Sequence, residues 1–155
     1  MKNNAFTCRK ATAADFSDWR KLAQQLWPKF KLTDFAKLYA DIRKSPRYIS
    51  FISRTAEGKA VAFANVSLRV DYVEGSDSSP VGYLEGIFVD KDYRKMGLAR
   101  LLVDAAERWA AGKGATEMGS DTERGNAASQ KFHQAIGFSQ TEKIVHFIKK
   151  IRRRQ

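Results

Sequence analysis

Along this chain the spacing of apolar positions changes several times, and each change marks an element. Phe6 to Ala11 has the short form of a first strand, and Thr12 to Asp15 supplies cap-type residues behind it. Phe16, Trp19, Leu22, Ala23, Leu26 and Trp27 then recur at helical spacing until Pro28 interrupts them. A second apolar stripe, Phe35, Leu38, Tyr39 and Ile42, predicts a helix over Leu32 to Lys44 that Ser45-Pro46 ends. Tyr48 to Arg54 and Ala60 to Tyr72 read as an antiparallel strand pair about a turn at Ala56 to Lys59. The run from Val73 through Gly75 and Asp77 to Pro80 has loop chemistry.

The second half opens with Tyr83 to Asp90, whose Leu84, Ile87, Phe88 and Val89 suit a buried strand. Within ten residues the period turns helical, and Leu98, Leu101, Leu102, Ala105, Ala106 and Trp109 form one stripe ending near Lys113. Thr116 to Asp121 predicts a short strand and Asn126 to Ile136 a helix, with Gly137 as its stop. Phe138 to Ile151 reads as one or two further strands, and 152–155 as a basic tail. With neither a repeat nor a linker, the pattern predicts one α/β domain over 1–155, built on a mixed sheet.

Between the strand at 83–90 and its helix lies Arg94-x-x-Gly97-x-Ala99. The first turn of a helix carries N–H groups without intrahelical partners and the positive end of the macrodipole, so it suits a phosphate group. Gly97 and Ala99 let the main chain come close, while Arg94, Lys95 and Arg100 add full charges fit for a pyrophosphate. Taken alone, the same residues also describe an ordinary helix start with solvated arginines.

Composition narrows the choices. Hydrophobic content of 43% argues for a folded globule, and a single cysteine, Cys8, leaves no intrachain disulfide. No run of about 18 apolar residues or signal-type N-terminus is present, which predicts a cytoplasmic protein without membrane attachment. The net charge of +11 predicts a polyanionic partner, yet the five acids Asp71, Glu74, Asp77, Glu85 and Asp90 stand without a single base between Val70 and Asp90. An acidic island in a basic protein calls for a second, cationic partner. From Lys143 to Gln155 there are six basic residues and no acid, which keeps a nucleic-acid-binding module as the alternative of another class. No zinc spacing, aromatic ribonucleoprotein motif or helix-turn-helix pattern accompanies that run, and no metal site is expected.

The turn at Arg94 to Ala99, followed by Asn126-x-x-Ser-x-x-Phe-His-x-x-Ile-Gly-Phe138, resembles the two signature segments of the GNAT superfamily of acyl-CoA-dependent N-acetyltransferases. That resemblance implies a mostly antiparallel central sheet flanked by about four helices. It also implies a strand pair that splays apart to admit acetyl-CoA. A closer resemblance, to the aminoglycoside 6'-N-acetyltransferases, runs from Asp71 to Ile151. It is carried by Asp71-Tyr-Val-Glu-Gly75, Ser79-Pro-Val-Gly-Tyr-Leu-Glu-Gly-Ile87 with Val89, Ser120-Asp121, Asn126, His133, Gly137-Phe138 and Gln140-Thr-Glu-Lys143, with Leu26-Trp27 as a looser match. Position by position it implies an aminoglycoside site at Trp27, Tyr72, Glu74, Glu85, Asp121 and Glu142. Acetyl-CoA would lie along Ile87, Phe88 and Val89, over Arg94, Lys95, Met96, Gly97, Leu98, Ala99 and Arg100, and against Asn126. The acid that the family often carries before the asparagine is Gly125 here. The resemblance further implies a homodimer through C-terminal strands, to which Ile144, Phe147 and Ile151 would contribute.

Acetyl transfer to an amine needs an unprotonated nitrogen, a polarised thioester and a proton for the departing thiolate. Glu85 is the first candidate to orient the amine and to take its proton, directly or through water, with Asp121 assisting; the alternative is that both only bind ammonium charge. Backbone N–H groups near Phe88 and Val89 are the expected oxyanion donors. His133 stands where many of the superfamily have a proton-donating tyrosine, so it is either the general acid or a packed helix residue. An acetyltransferase acting on a polyamine or on a protein or peptide amine is the second enzymatic reading.

Overall fold

The computed structural model describes residues 5–151; the basic tail read at 152–155 lies outside the described residues. Five strands form one sheet in the order β1 (Phe6–Lys10), β2 (Tyr48–Thr55), β3 (Ala60–Arg69), β4 (Val81–Val89), β5 (Met118–Ser120). The first four run antiparallel and β5 joins β4 in parallel. Four α-helices flank the sheet: α1 (Phe16–Leu26), α2 (Leu32–Lys44), α3 (Leu98–Gly112) and α4 (Ala127–Ala135). Single 3-10 turns at Ala13–Asp15 and Lys91–Tyr93 precede α1 and α3.

Strand alternation divides the core into two layers. Val61, Ala62, Ala64, Val66 and Leu84 pack under α3 and α4 with Leu98, Leu102, Val103, Ala106 and Ile136. On the other face Ile52 and Phe63 meet α1 and α2 through Trp19, Leu22, Ala23, Phe35, Tyr39 and Ile42. Trp19 is fully buried, and its indole N–H donates to Asn65 Oδ1 at 3.2 Å, which satisfies both buried polar groups.

A charged cluster ties β1, β2 and α1 together at one edge. Asp15 is buried and accepts from both terminal nitrogens of Arg9 (2.7 and 2.8 Å), from Arg54 Nη2 (2.7 Å), and from the Thr12 N–H (2.8 Å) and hydroxyl (3.1 Å). The Arg9 hydrogen bonds, chiefly, hold its carboxyl well below the usual carboxylate range against the opposing effect of burial.

Two expectations are corrected. The strand predicted over Ala60 to Tyr72 ends at Arg69, opposite Val81, because the next residue of the partner strand would be Pro80, which has no N–H to give. Val70 and Tyr72 therefore lie exposed in the loop. The strands predicted within Phe138 to Ile151 do not form: these residues are in neither helix nor strand, and among the described residues no segment pairs with them as a sheet neighbour. Strand-type alternation expresses a residue's fit to a pleated surface and cannot supply the surface.

Candidate active site

β4 organises the site, and a break in its pairing makes the site possible. Opposite β3, Asn65 pairs with Gly86 and Val66 with Leu84, so Glu85 has no partner and forms a bulge. Glu85 and Gly86 thus both face the α1 side. A Cβ on Gly86 would stand 2.6 Å from Trp27, so the indole lies directly over that glycine, stacked in turn on Phe30. Beyond the bulge, Ile87 and Val89 pack toward α3 and Phe88 toward α1.

Glu85 is set among polar groups of β3. Ser67 Oγ donates to its Oε1, Arg69 Nε reaches the same oxygen at 3.1 Å, and Arg69 Nη2 reaches Oε2 at 2.9 Å. The Arg69 guanidinium carbon lies 3.3 Å from the centroid of the Tyr83 ring, and the Tyr83 hydroxyl donates to Asp121 Oδ2 at 2.6 Å. Burial, and then that bond to Asp121, push the Tyr83 phenol well above its ordinary value, so it stays a donor. Burial and the nearby Glu85 charge likewise raise Tyr48, which pairs with Ser67. The two carboxylates expected to act together, Glu85 and Asp121, are therefore linked through Arg69 and Tyr83.

The remaining acids lie on the rim. Tyr72 is 76% exposed, and Glu74 is also exposed, in the loop between β3 and β4. Glu117 clamps this loop to β5 by accepting from the Asp77 N–H (2.9 Å) and the Ser78 hydroxyl. A Cβ on Gly75 would meet Thr141 Cγ2 at 2.2 Å, so the C-terminal segment touches the loop there; Glu142, the next residue, is exposed as Glu74 is. Trp27 over Gly86, Glu85, and Asp121 on the Tyr83 hydroxyl gather about the middle of β4, where β5 ends. Tyr72 touches none of them through a hydrogen bond or ring contact among the described residues.

On its other edge β4 pairs with β5 for three residues only, from Gly82–Met118 to Leu84–Ser120. Among the described residues no strand borders that edge from Glu85 to Val89, so its outward backbone groups, apart from the Val89 carbonyl, lack a strand partner beside the expected thioester position. The strand then enters the basic turn. Lys95 and Gly97 adopt positive φ (63° and 84°), and the first intrahelical bond of α3 runs from the Leu101 N–H to the Gly97 carbonyl at 3.0 Å. The N–H groups ahead of Leu101 have no intrahelical acceptor. Leu98 is buried in the α3 layer and offers only its backbone, whereas Arg94, Lys95 and Met96 are exposed and Ala99 is partly so.

Two of the predicted phosphate ligands are engaged elsewhere. Arg94 Nε donates to the Val89 carbonyl (3.1 Å), and Arg100 reaches the Ala135 and Ile136 carbonyls at the end of α4 (3.3 and 3.5 Å). Asn126 caps α4 by accepting from the Ser129 N–H at 3.0 Å. His133 Nδ1 lies 2.7 Å from the Ser129 carbonyl and therefore carries a proton, while Nε2 lies 2.8 Å from Ser120 Oγ, at the last paired residue of β5. Ser120 Oγ is also 3.1 Å from the Leu84 carbonyl, so the histidine stands where β4 and β5 part.

The sequence reading passes over Arg69, Ser67, Tyr83 and Ser120 as site residues. Ser67 and Arg69 share strand phase, and the pairing of Ser67 with Tyr83, two residues before Glu85, puts all three on one face; that pairing is what the sequence leaves open. Among the described residues, no group of acids, histidines and cysteines could hold a metal ion, and no helix is long and apolar enough to cross a membrane.

The sequence pattern of the Acetyltransferase (GNAT) family matches residues 16–138. Aminoglycoside N(6')-acetyltransferase type 1 of Salmonella typhimurium is 42% identical over 142 residues, which make up 92% of this chain and 97% of that protein. The protein of the same name from Stenotrophomonas maltophilia is 37% identical over 149 residues, 95% of each chain. Among solved structures, AAC(6')-Iy in complex with the bisubstrate analog CoA-S-monomethyl-acetylneamine superposes with a TM-score of 0.90 at 41% identity, covering 94% of this chain and 99% of that one. The aminoglycoside 6'-N-acetyltransferase AAC(6')-Ih from Acinetobacter baumannii gives a TM-score of 0.90 at 34% identity over the same shares.

Proposed function

The chain belongs to the GNAT acetyltransferase family, and from that membership we propose that it is an aminoglycoside N(6')-acetyltransferase. It transfers the acetyl group of acetyl-CoA to the 6'-amine of aminoglycoside antibiotics and so confers resistance. The observation that carries this reading is the division of labour on β4: one face presents Glu85 toward an acidic rim, and the edge beyond it opens toward a basic helix start. A polycation and a polyanion are thus received on either side of one strand.

In the reaction the unprotonated 6'-nitrogen attacks the thioester carbonyl carbon, the N–C bond forms, and the carbonyl electrons move onto oxygen. Backbone N–H groups near Phe88 and Val89 receive that charge. As the carbonyl re-forms, the C–S bond breaks and the coenzyme A thiolate takes a proton from Nε2 of His133 in its imidazolium form, the Nδ1 proton being held by the Ser129 carbonyl. Water then returns a proton to Nε2, and the contact with Ser120 keeps the ring at the strand divergence. Glu85 and Asp121 hold the acceptor's ammonium groups and orient the 6'-amine; the proton lost by the nitrogen leaves through water beside Glu85. Trp27 forms the wall over Gly86, while Tyr72, Glu74 and Glu142 form the rim of the acceptor site. The N–H groups of Gly97 to Arg100 take the pyrophosphate, together with Lys95 and the Met96 backbone; Asn126 borders the pantetheine arm. Arg94 and Arg100 leave their carbonyl partners to join them. The catalytic unit is a single domain over 1–155 and works in the cytoplasm, where its acyl donor is found.

The deciding assay is acetyl-CoA-dependent thiol release. Kanamycin or tobramycin, which carry a 6'-amine, should turn over at least ~100 times more efficiently by kcat/KM than spermidine, a lysine peptide or a 6'-hydroxy aminoglycoside. Spermidine or peptide turnover equal to that of tobramycin would reject the drug as substrate in favour of another amine.

We further propose that the protein acts as a homodimer whose C-terminal segments find each other. Phe147 is 93% and Ile148 101% exposed, and Val145 and Ile151 are exposed beside them. An isolated chain rarely leaves so much contiguous strand-forming apolar surface in water. Light scattering on the purified protein at ~10 μM should give twice the chain mass, and Phe147→Asp with Ile148→Asp should halve it; a monomeric parent would end the idea.

A further inference from the structure

We infer that the bare backbone at Gly86 sets the position of the Trp27 wall beside Glu85, which makes Gly86 a positioning residue for the acceptor. The inference rests on the acetyltransferase reading and adds to it a residue that acts only through another. It starts from the extra residue in β4. Asn65 pairs with Gly86 and Val66 with Leu84, so residues 85 and 86 follow one another on the α1 side, where a regular strand would send the second of them to the α3 side. The face that carries Glu85 is therefore crowded at one point. Gly86 relieves it, for a Cβ there would stand 2.6 and 2.8 Å from Cζ2 and Cη2 of Trp27 and 3.3 Å from Cδ2 of Leu26. The indole edge thus rests on main chain, one residue along the strand from Glu85.

The ring has little freedom to settle elsewhere. Its own backbone is tied into the end of α1, the N–H donating to the Ala23 carbonyl at 2.8 Å and the carbonyl accepting from the Phe30 N–H at 3.1 Å. Phe63, fully buried, closes the inner side at a centroid distance of 6.0 Å, and Phe30 stacks on the indole at 5.7 Å. A side chain at position 86 would leave one way out. Trp27 is only partly buried and Phe30 is exposed, so the indole would lift away from the strand and leave the core in place. The product is a folded protein with a misplaced wall. An acceptor then loses an apolar surface that it uses equally before and during the transfer, so the loss falls on KM and spares kcat.

The test measures turnover of tobramycin by the parent, Gly86→Ala, Trp27→Ala and doubly substituted proteins. Gly86→Ala is expected to raise KM about tenfold and to change kcat by less than about threefold. In the Trp27→Ala background the same methyl group meets no indole and needs only a slight shift of Leu26, so it should change KM by less than about twofold. The thermal shift produced by acetyl-CoA should be equal in all four proteins, which shows that the donor side is intact. A parent-like KM in Gly86→Ala overturns the inference, and so does an equal rise in both backgrounds, because the methyl group would then act on β4 or Glu85 directly. A parent-like KM in Trp27→Ala overturns it too, and in each of these cases the activity stands. If Gly86→Ala does not fold, the double variant should, since the clash is gone; failure of both to fold also overturns the inference. A parent protein that acetylates no aminoglycoside would remove the activity itself, and this inference with it.

Discussion

Replacing Glu85 with alanine is expected to lower kcat/KM for a 6'-amine aminoglycoside by about 10²–10³-fold, the effect of taking away the charged partner of an ammonium group that the bound acceptor buries. Two losses combine. The acceptor loses the carboxylate that orients its amine, and Arg69 is left as an uncompensated cation facing a polycation. Glu85→Gln should lose roughly tenfold less, since the amide oxygen still accepts from Ser67 or from an ammonium group. Coenzyme A affinity, measured by calorimetry, should be unaltered in both variants because the donor turn begins beyond Val89. A loss below about threefold with tobramycin would show that the carboxylate has no part in acceptor binding.

The second large effect concerns stability. Asp15→Asn is expected to lower the free energy of unfolding at pH 7 by about 3 kcal/mol, because Arg9 and Arg54 would then converge on a neutral amide. Its size is limited by the freedom of Arg9 to turn toward water and by the second partner of Arg54, Asp18, at 2.9 Å. The pH dependence has a definite sign. Since the carboxyl is held below its ordinary range in the folded state, its contribution is complete at neutral pH and disappears as pH falls from about 4 through the folded-state value. Guanidinium titrations at pH 7, 4 and 3 should show the parent and the variant converging on the acid side. Parallel curves would mean that Asp15 is held by packing and not by its charge.

How far the sequence discloses such features depends on how local they are. The helix at Leu32–Lys44 is legible end to end because its stripe, its length and the Ser45-Pro46 that ends it all lie within one short contiguous stretch. The basic turn is legible for the same reason, as Gly97 and its helix are contiguous. The extent of β3 is not: Val70 and Tyr72 continue its alternation, and what stops it is Pro80 on the other strand. Arg69 is equally illegible, since a cation at a strand end reads as a solvated one until Glu85 is known to sit across from it. The C-terminal segment shows the limit most plainly, for Ile144 to Ile151 announces a strand without saying against what. Glu85 itself is singled out through family resemblance, but the unpaired position it occupies on β4 is a register irregularity that no spacing reveals.

That irregularity has a consequence for how the strand tolerates change. One additional residue between Leu84 and Gly86 puts the sequence on either side of it half a repeat out of step. Upstream, Tyr83 lies on the face of Arg69 and Leu84 in the α3 layer; downstream, Ile87 and Val89 lie in the α3 layer and Phe88 toward α1. Deleting a single residue at that point would exchange inside for outside along the last third of the strand, burying what should be open and opening what should be buried. Substitutions confined to either half leave the other in phase, so change on one side of the extra residue need not disturb the packing of the other.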